Sequence, residues 1–368
     1  MKLADAYDFV VKRDDLRSAS TLPLTSADEV ELAPGQVLLR VDNFSITANN
    51  VTYAAMGEAM NYWDFFPAPE GLGRVPVWGY CEVARSDVEG VPVGSRIYGY
   101  MPISSYFVVE PTDISDTGFV DGSAHRTHLP AIYNRYGFVT PEGGDTPERE
   151  PYIALFGPLF ATSYLLADWL DDGGFGEAKR AVLSSASSKT ALALAFLLQR
   201  DHGDEITVVG LTSAGNVAFT EGTGLYDEVV AYDDLEKIDG TDATAYLDFA
   251  GRAELRARVH AHFGENLLSS TAVGITDWEE LVPDPDAEPL AGPKPGFFFA
   301  PDRFAKRNKE WGAAEVRRRI TESQNEFIDH SKSWMTIRTG QGPAEIETTL
   351  LAFLDGRVDP SEGWSVRP

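Results

Sequence analysis

Residues 181–198 read Ala-Val-Leu-Ser-Ser-Ala-Ser-Ser-Lys-Thr-Ala-Leu-Ala-Leu-Ala-Phe-Leu-Leu. The opening apolar run suits a strand buried on both faces of a parallel sheet, and from Thr190 onward the apolar residues fill a helix. Residues 185–191 therefore form the tight turn between them. Strand-like and helix-like stretches keep alternating afterwards, with further strands expected at 206–211, 226–232, 245–250 and 266–273. Five such strands within about a hundred residues predict an α/β fold with a doubly wound parallel sheet, and 296–300 reads as a sixth strand.

Working outward, 152–170 carries apolar residues at helical spacing, as do 313–328 and 344–354. Upstream the pattern is different. From Gly35 to Tyr106 short β-branched stretches are bounded by Gly, Pro or Asp turns, which predicts a small antiparallel β domain. Residues 111–150 are polar and turn-rich, a connection long enough to be a lid or an embellishment. The acidic, proline-rich stretch 278–295 reads as a loop. The expected organisation is a mainly β domain of residues 1–150 and 330–368 and a parallel-sheet domain of residues 151–329, with no internal repeat.

The chain has 368 residues, of which 43% are hydrophobic and 24% charged, a composition that buries a core. Thirty-one Lys and Arg stand against 57 Asp and Glu, a net charge of −26. A field of that sign repels a phosphate backbone, so nucleic acid is excluded as a partner. The single cysteine, Cys81, cannot make an internal disulfide or a four-cysteine zinc lobe. No basic-then-apolar signal opens the chain and no run reaches the roughly 18 apolar residues of a membrane span, so the expected setting is the cytoplasm, with no membrane partner.

The turn at 185–191 is where a dinucleotide pyrophosphate would sit, because exposed amides at a helix amino end bind anions. A glycine fingerprint needs Gly at most of the positions held by Ser185, Ser188 and Ala191. Every replacement is small, however, and the spacing is kept. Ser185, Ser187, Ser188, Lys189 and Thr190 are thus the candidate phosphate ligands, against the plainer reading of a serine-rich helix cap. After the second strand the chain reads Gly210-Leu-Thr-Ser-Ala-Gly-Asn. An acid there would hold a ribose 2′-hydroxyl and repel a 2′-phosphate; its absence, with Thr212, Ser213 and Asn216 in its place, favours NADP(H) over NAD(H).

Three segments carry a family resemblance. Pro92-Val-Gly-Ser-Arg-Ile-Tyr-Gly is similar to the valine, glycine, aspartate, arginine, valine turn of the medium-chain dehydrogenase/reductase superfamily. Phe156-Gly-Pro-Leu-Phe-Ala-Thr-Ser-Tyr-Leu-Leu resembles the helix that opens its cofactor domain, and Ala352-Phe-Leu-Asp-Gly-Arg-Val-Asp-Pro resembles its carboxy-terminal return. The resemblance implies a mainly β GroES-like catalytic domain joined to a Rossmann-type cofactor domain, with Thr162 near a nicotinamide and two copies pairing through the cofactor-domain sheet as a homodimer. Zinc-dependent members use a cysteine and a histidine as catalytic ligands. Here no histidine lies between Met1 and Ala124, so no metal is expected and the chain resembles the zinc-independent quinone and enoyl reductases, whose nicotinamide supplies the hydride.

The same resemblance puts Tyr53, in Thr47-Ala-Asn-Asn-Val-Thr-Tyr-Ala-Ala-Met-Gly, beside the substrate as hydrogen-bond or proton donor. Asn49 and Asn50 are its candidate partners, each also readable as a turn former, and the competing reading of Tyr53 is a buried tyrosine satisfied by a backbone carbonyl. His125, Arg126 and His128 read as a solvated loop, and His260 and His262, two apart on a helix, as surface residues. Arg135 is a candidate receiver of a substrate carboxylate or phosphate. Among Phe297, Phe298 and Phe299 core packing is the default, with Phe298 the candidate to face the nicotinamide. Tyr62-Trp-Asp-Phe-Phe-Pro reads as the wall of an apolar substrate pocket or as cover for the β domain. Together these features point to an NADP(H)-dependent, zinc-independent oxidoreductase that reduces an activated C=C or C=O bond of a small apolar molecule. The alternatives are a degenerate, non-catalytic protein on the same fold and a lyase or isomerase without net redox change.

Overall fold

The computed structural model describes residues 6–140, 146–273 and 290–368. They form two compact units, Met1–Gly157 with Thr336–Pro368, and Pro158–Met335. The first opens with β1 (Tyr7–Lys12), β2 (Ala19–Pro23), β3 (Val37–Ile46), helix α1 (Ala48–Ala55) and β4 (Leu72–Gly73). It continues through β5 (Pro76–Ser86), β6 (Arg96–Pro102), β7 (Tyr106–Val109), β8 (Pro111–Ser115), β9 (Gly118–Asp121) and β10 (Arg135–Phe138). Helix α2 (Glu150–Trp169) begins in this unit and ends in the other.

The second unit contains β11 (Arg180–Leu183), α3 (Lys189–His202), β12 (Thr207–Thr212), α4 (Val217–Gly222), β13 (Glu228–Ala231), β14 (Thr244–Asp248), α5 (Ala253–Phe263) and β15 (Leu267–Ala272). It closes with β16 (Gly296–Phe297), α6 (Ala300–Trp311) and α7 (Ala313–Ser331). The chain then returns to the first unit with β17 (Thr336–Gln341), α8 (Pro343–Leu354) and β18 (Glu362–Arg367).

In the second unit the sheet order is β13-β12-β11-β14-β15-β16 and every pairing is parallel. Counted within the unit this is 3-2-1-4-5-6, the Rossmann order, with its switch point between β11 and β14. The expected doubly wound sheet is present. Val182, Val209, Leu211 and Tyr246 from its strands pack with Leu255, Val259 and Phe263 of α5 in one buried core. The sixth strand is shorter than expected: only Gly296 and Phe297 pair with β15, and Phe297 is exposed rather than in the core.

In the first unit a sheet runs β17-β18-β3-β5-β6-β10-β9-β8, with β7 also on β3, and β2-β1-β4 form a smaller sheet. Gly79 on β5 faces Gly99 on β6. A Cβ on Gly79 would lie 2.2 Å from the Asn43 carbonyl oxygen, and one on Gly99 2.5 Å from the Tyr136 ring. Both positions therefore need glycine for close approach on that face. The opposite face carries Trp78 and Tyr80 beside Tyr98 and Tyr100, since side chains alternate along a strand. Their rings stack in a ladder, Trp78 to Tyr100 at 5.2 Å and Tyr80 to Tyr98 at 5.1 Å.

Several expectations need correction. The 111–150 stretch is not a lid, because β8, β9 and β10 extend the large sheet; residues 141–145 of it, and 274–289 of the later loop, lie outside the described residues. Arg126 is not solvated but 1% exposed and paired with Asp121 at 2.7 Å, while His125 and His128 on either side are exposed. His260 is fully buried, with Nδ1 2.6 Å from the Ala291 carbonyl and Nε2 2.9 Å from Ser270 Oγ. A spacing of two turns residues to different faces, so one of the pair faced inward. One described helical run, Glu150–Gly174, is long and apolar enough to cross a membrane by length and composition, against the expectation of no such run. Half of its most apolar window is buried inside the protein, and Asp168 near its end is held by Arg303 and Arg307, as in a core helix.

Candidate functional site

In the second unit, β11 delivers the chain into Ser184–Ser188 and α3. Ser185 has φ +51°, the left-handed region that glycine enters without cost and other residues at roughly 1–2 kcal/mol. This is the first position where the fingerprint would place glycine. Ser188 Oγ caps α3 by accepting from the Ala191 amide at 3.3 Å, and the Ser188 amide donates to the Ser185 carbonyl at 2.7 Å. The turn lies tight against β12: the Ala186 amide donates to the Leu211 carbonyl at 3.0 Å, and a Cβ on Gly210 would come within 2.9 Å of Ala186 Cβ. Replacing Ser185 by Gly is expected to raise stability by about 0.5–1 kcal/mol, read as a higher denaturation midpoint.

Three of the predicted residues meet at one point. Ser187 Oγ accepts from Thr212 Oγ1 at 3.2 Å and from Asn216 Nδ2 at 3.0 Å, which leaves its own O–H to donate outward. Ser213 next to them is exposed. Lys189 and Thr190 open α3, and the Thr190 carbonyl accepts from Ser163 Oγ at 2.7 Å. Thr162 and Phe298 are not drawn into this group. Thr162 Oγ1 donates to the Pro158 carbonyl of its own helix at 2.9 Å. Phe298 is buried beside Trp169, 5.9 Å between centroids, next to the strand at the far edge of the sheet.

Beneath the turn lies a polar bridge that the sequence reading missed. Ser184 Oγ donates to Asp248 Oδ1 at 2.9 Å and accepts from the Phe249 and Ala250 amides at 2.9 and 3.0 Å. Arg256 pairs with Asp248 at 2.7 Å, and the Gly251 amide donates to the same carboxylate at 3.0 Å. The bridge ties the carboxyl ends of β11 and β14 across the switch point. Tyr232, after β13, accepts from the Ser185 amide at 3.0 Å, and Arg252 stands 5.9 Å from its ring centre. The available signal was Asp248 itself, an acid inside an otherwise apolar strand.

In the first unit Tyr53 lies on α1, 4% exposed. Its oxygen accepts from Asn49 Nδ2 at 2.7 Å and Trp78 Nε1 at 3.3 Å. The Tyr133 phenol lies 3.3 Å from that of Tyr62, a hydrogen bond between the two. Rings of Tyr62, Tyr100 and Tyr133 surround Tyr53 at 4.8, 5.4 and 6.1 Å. Burial pushes the Tyr53 phenol well above the usual tyrosine range, and the Trp78 and Asn49 donors pull it back part of the way. The competing picture of a tyrosine satisfied by a backbone carbonyl does not describe it. Asn50, by contrast, is spent on structure: Oδ1 accepts from the Thr47 amide at 2.7 Å, closing a capping box, and Nδ2 donates to the Pro76 carbonyl at 2.8 Å. Asn49, not Asn50, reaches Tyr53.

Arg126 supports this cluster from below. It donates to Asn134 Oδ1 at 2.9 Å, the Tyr136 phenol at 3.0 Å and the Tyr133 carbonyl at 2.9 Å, and faces the Phe65 and Phe66 rings at 5.3 and 5.0 Å. Arg135 lies on β10 and donates to Thr117 Oγ1 at 3.1 Å. Among the described residues no three His, Cys, Asp or Glu side chains are grouped to hold a metal ion, and burial pushes the Cys81 thiol far up.

Comparison with known proteins bears on both units. A family model described as "Protein of unknown function (DUF2855)" matches residues 44–359. No curated protein matches the chain in sequence. Among solved structures it is similar to CurA from Vibrio vulnificus in complex with NADPH, with TM-score 0.66 and 14% identity, covering 98% of this chain and 99% of that one. It is similar to a putative NADPH:quinone reductase from Mesorhizobium loti, with TM-score 0.60 and 13% identity over 99% of each chain. A mutant form of an enoyl thioester reductase from Candida tropicalis gives TM-score 0.55 and 10% identity over 100% of each. At such identity these likenesses establish the shared fold.

Proposed function

We propose that this chain, which belongs to the DUF2855 family, is an NADP(H)-dependent, zinc-independent oxidoreductase that reduces an activated C=C or C=O bond of a small apolar substrate. The observation that carries the reading is the small-residue turn at the head of a 3-2-1-4-5-6 parallel sheet, leading into the amino end of α3, with no acid after β12. The residues fit a dinucleotide. The turn keeps the left-handed Ser185 and the close approach of Ala186 to Gly210, and the Ser187 hydroxyl, held by Thr212, and the second N–H of the Asn216 amide can donate to a 2′-phosphate that an acid would repel. The relatives solved with NADPH, or named for it, agree with that choice.

Bound there, NADPH supplies the hydride. The protein's own part is to hold the phosphates at Ser185, Ser187, Ser188, Lys189 and Thr190, with Ser213 as an outlying contact. In the first unit the Tyr53 oxygen is the proton donor. A lone cysteine buried in β5 suits neither a metal ligand nor a disulfide, in keeping with zinc-independent chemistry in the cytoplasm. Two copies pairing at the β16 edge, where Phe297 is 65% exposed, complete the reading.

Calorimetric titration with NADPH and with NADH tests it. NADPH should bind at least about tenfold more tightly, and Lys189→Glu, which reverses a charge at the helix end, should weaken NADPH by about tenfold or more, less so at high salt. No binding of either nucleotide would favour a non-catalytic protein on this fold instead. Enones, enoyl thioesters and quinones are the substrates to screen.

A further inference from the structure

An indole N–H can only donate, so Trp78 sets the direction of one hydrogen bond at Tyr53 without ambiguity. The Asn49 amide donates to the same oxygen at 2.7 Å. With two N–H groups pointing at it, the phenol oxygen is an acceptor twice over and its own proton must leave in a third direction. The Tyr133 ring stands edge-on to that of Tyr53 at 6.1 Å, its own phenol 3.3 Å from that of Tyr62. No carboxylate or cation is among the hydrogen-bond partners of the Tyr53 phenol within the described residues.

Resting on the reading of Tyr53 as proton donor, we propose that Asn49 and Trp78 are positioning residues that aim the Tyr53 proton outward and stabilise the phenolate left after it is given. The substrate atom that receives the proton holds the electron pair displaced by hydride addition. As that atom takes the proton, the Tyr53 O–H bond breaks and its electron pair stays on the phenol oxygen. Two preorganised N–H donors then face the new negative charge in a buried, low-dielectric site, where such bonds are worth most. Neither an amide nor an indole can give up its own proton at neutral pH, so they hold the anion without quenching it. Solvent then returns a proton to the Tyr53 oxygen, so the phenol ends as it began.

The arrangement is read directly by replacing Tyr53 with 3,5-difluorotyrosine, whose lower intrinsic pKa brings ionisation into the range where the protein stays folded, and titrating it by fluorine NMR. In that background Trp78→Phe should raise the phenol pKa by about one unit, a tenfold loss of phenolate at fixed pH. Asn49→Asp should raise it further than Asn49→Ala, because a carboxylate can only accept and so draws the Tyr53 proton back toward α1. An unchanged titration in all three variants, or an Asp variant no different from Ala, would overturn the proposal. Asn49 is half-buried at the start of α1, so its variants carry the test if Trp78→Phe does not fold, as circular dichroism would reveal. The underlying assignment fails separately: full turnover in Tyr53→Phe would remove Tyr53 as donor whatever the titration shows.

Discussion

Tyr53→Phe is expected to lower kcat by roughly 10²–10³-fold with NADPH affinity unchanged, because it deletes one oxygen and leaves the ring where it was. The size follows from what that oxygen does. A positioned acid contributes about 10²–10⁴-fold, and Tyr53 is buried with its two N–H partners already in place, so little reorganisation remains at the moment of transfer. The ring contacts with Tyr62, Tyr100 and Tyr133 survive the change, which keeps the loss from being one of packing. Steady-state kinetics with an accepted substrate, beside an NADPH titration of the same variant, checks both halves. A fall in KM without a fall in kcat would assign Tyr53 to binding instead.

Arg126→Met should destabilise the first unit by about 3–5 kcal/mol, read as a lower urea midpoint by tryptophan fluorescence. Both partners of the Arg126–Asp121 pair are 1% exposed, so removing the guanidinium strands a carboxylate away from water. Four separate acceptors lose their donor at once: Asp121, Asn134, the Tyr136 phenol and the Tyr133 carbonyl. The remaining bonds to Asp121, from Ser123 and the Glu110 amide, soften the loss without cancelling the charge. Arg126→Met combined with Asp121→Asn should therefore be much less damaging than the sum of the two single changes. Since Arg126 also holds the backbone of Tyr133, the single variant should weaken the phenol cluster around Tyr53 as well. A loss of under about 1 kcal/mol would mean that the pair is solvated in solution.

The parallel sheet could be read from the chain because each of its strands is a short apolar run separated by a helix, and burial on both faces leaves no other use for such runs. The polar strands β17 and β18 escaped that reading, since Thr336–Gln341 is mostly exposed and shows none of the apolar alternation that marks a half-buried strand. Strand β8 escaped it for the same reason, with Thr112-Asp and Asp116-Thr-Gly reading as turns. At the turn, the small residues and the missing acid after Gly210 were legible one residue at a time. That Ser187, Thr212 and Asn216 converge was not, because the contact depends on β12 lying beside β11 in register.

By itself the sequence determined that this chain folds around a doubly wound sheet and that a size-restricted turn precedes the first helix of that sheet, and it marked Tyr53 and the two asparagines before it as candidates. Local pattern suffices for these, as apolar periodicity and residue size act over a few positions. Only the tertiary structure decided which asparagine serves Tyr53 and which caps the helix, since Asn50 is claimed by Thr47 and by the Pro76 carbonyl on another strand. It also brought Trp78, 25 residues further along, onto that phenol, and the Tyr133 ring, 80 residues along, to 6.1 Å from that of Tyr53. Sheet register and a buried arginine do that work, and neither leaves a mark at short range because both depend on what a residue meets across the fold rather than along the chain.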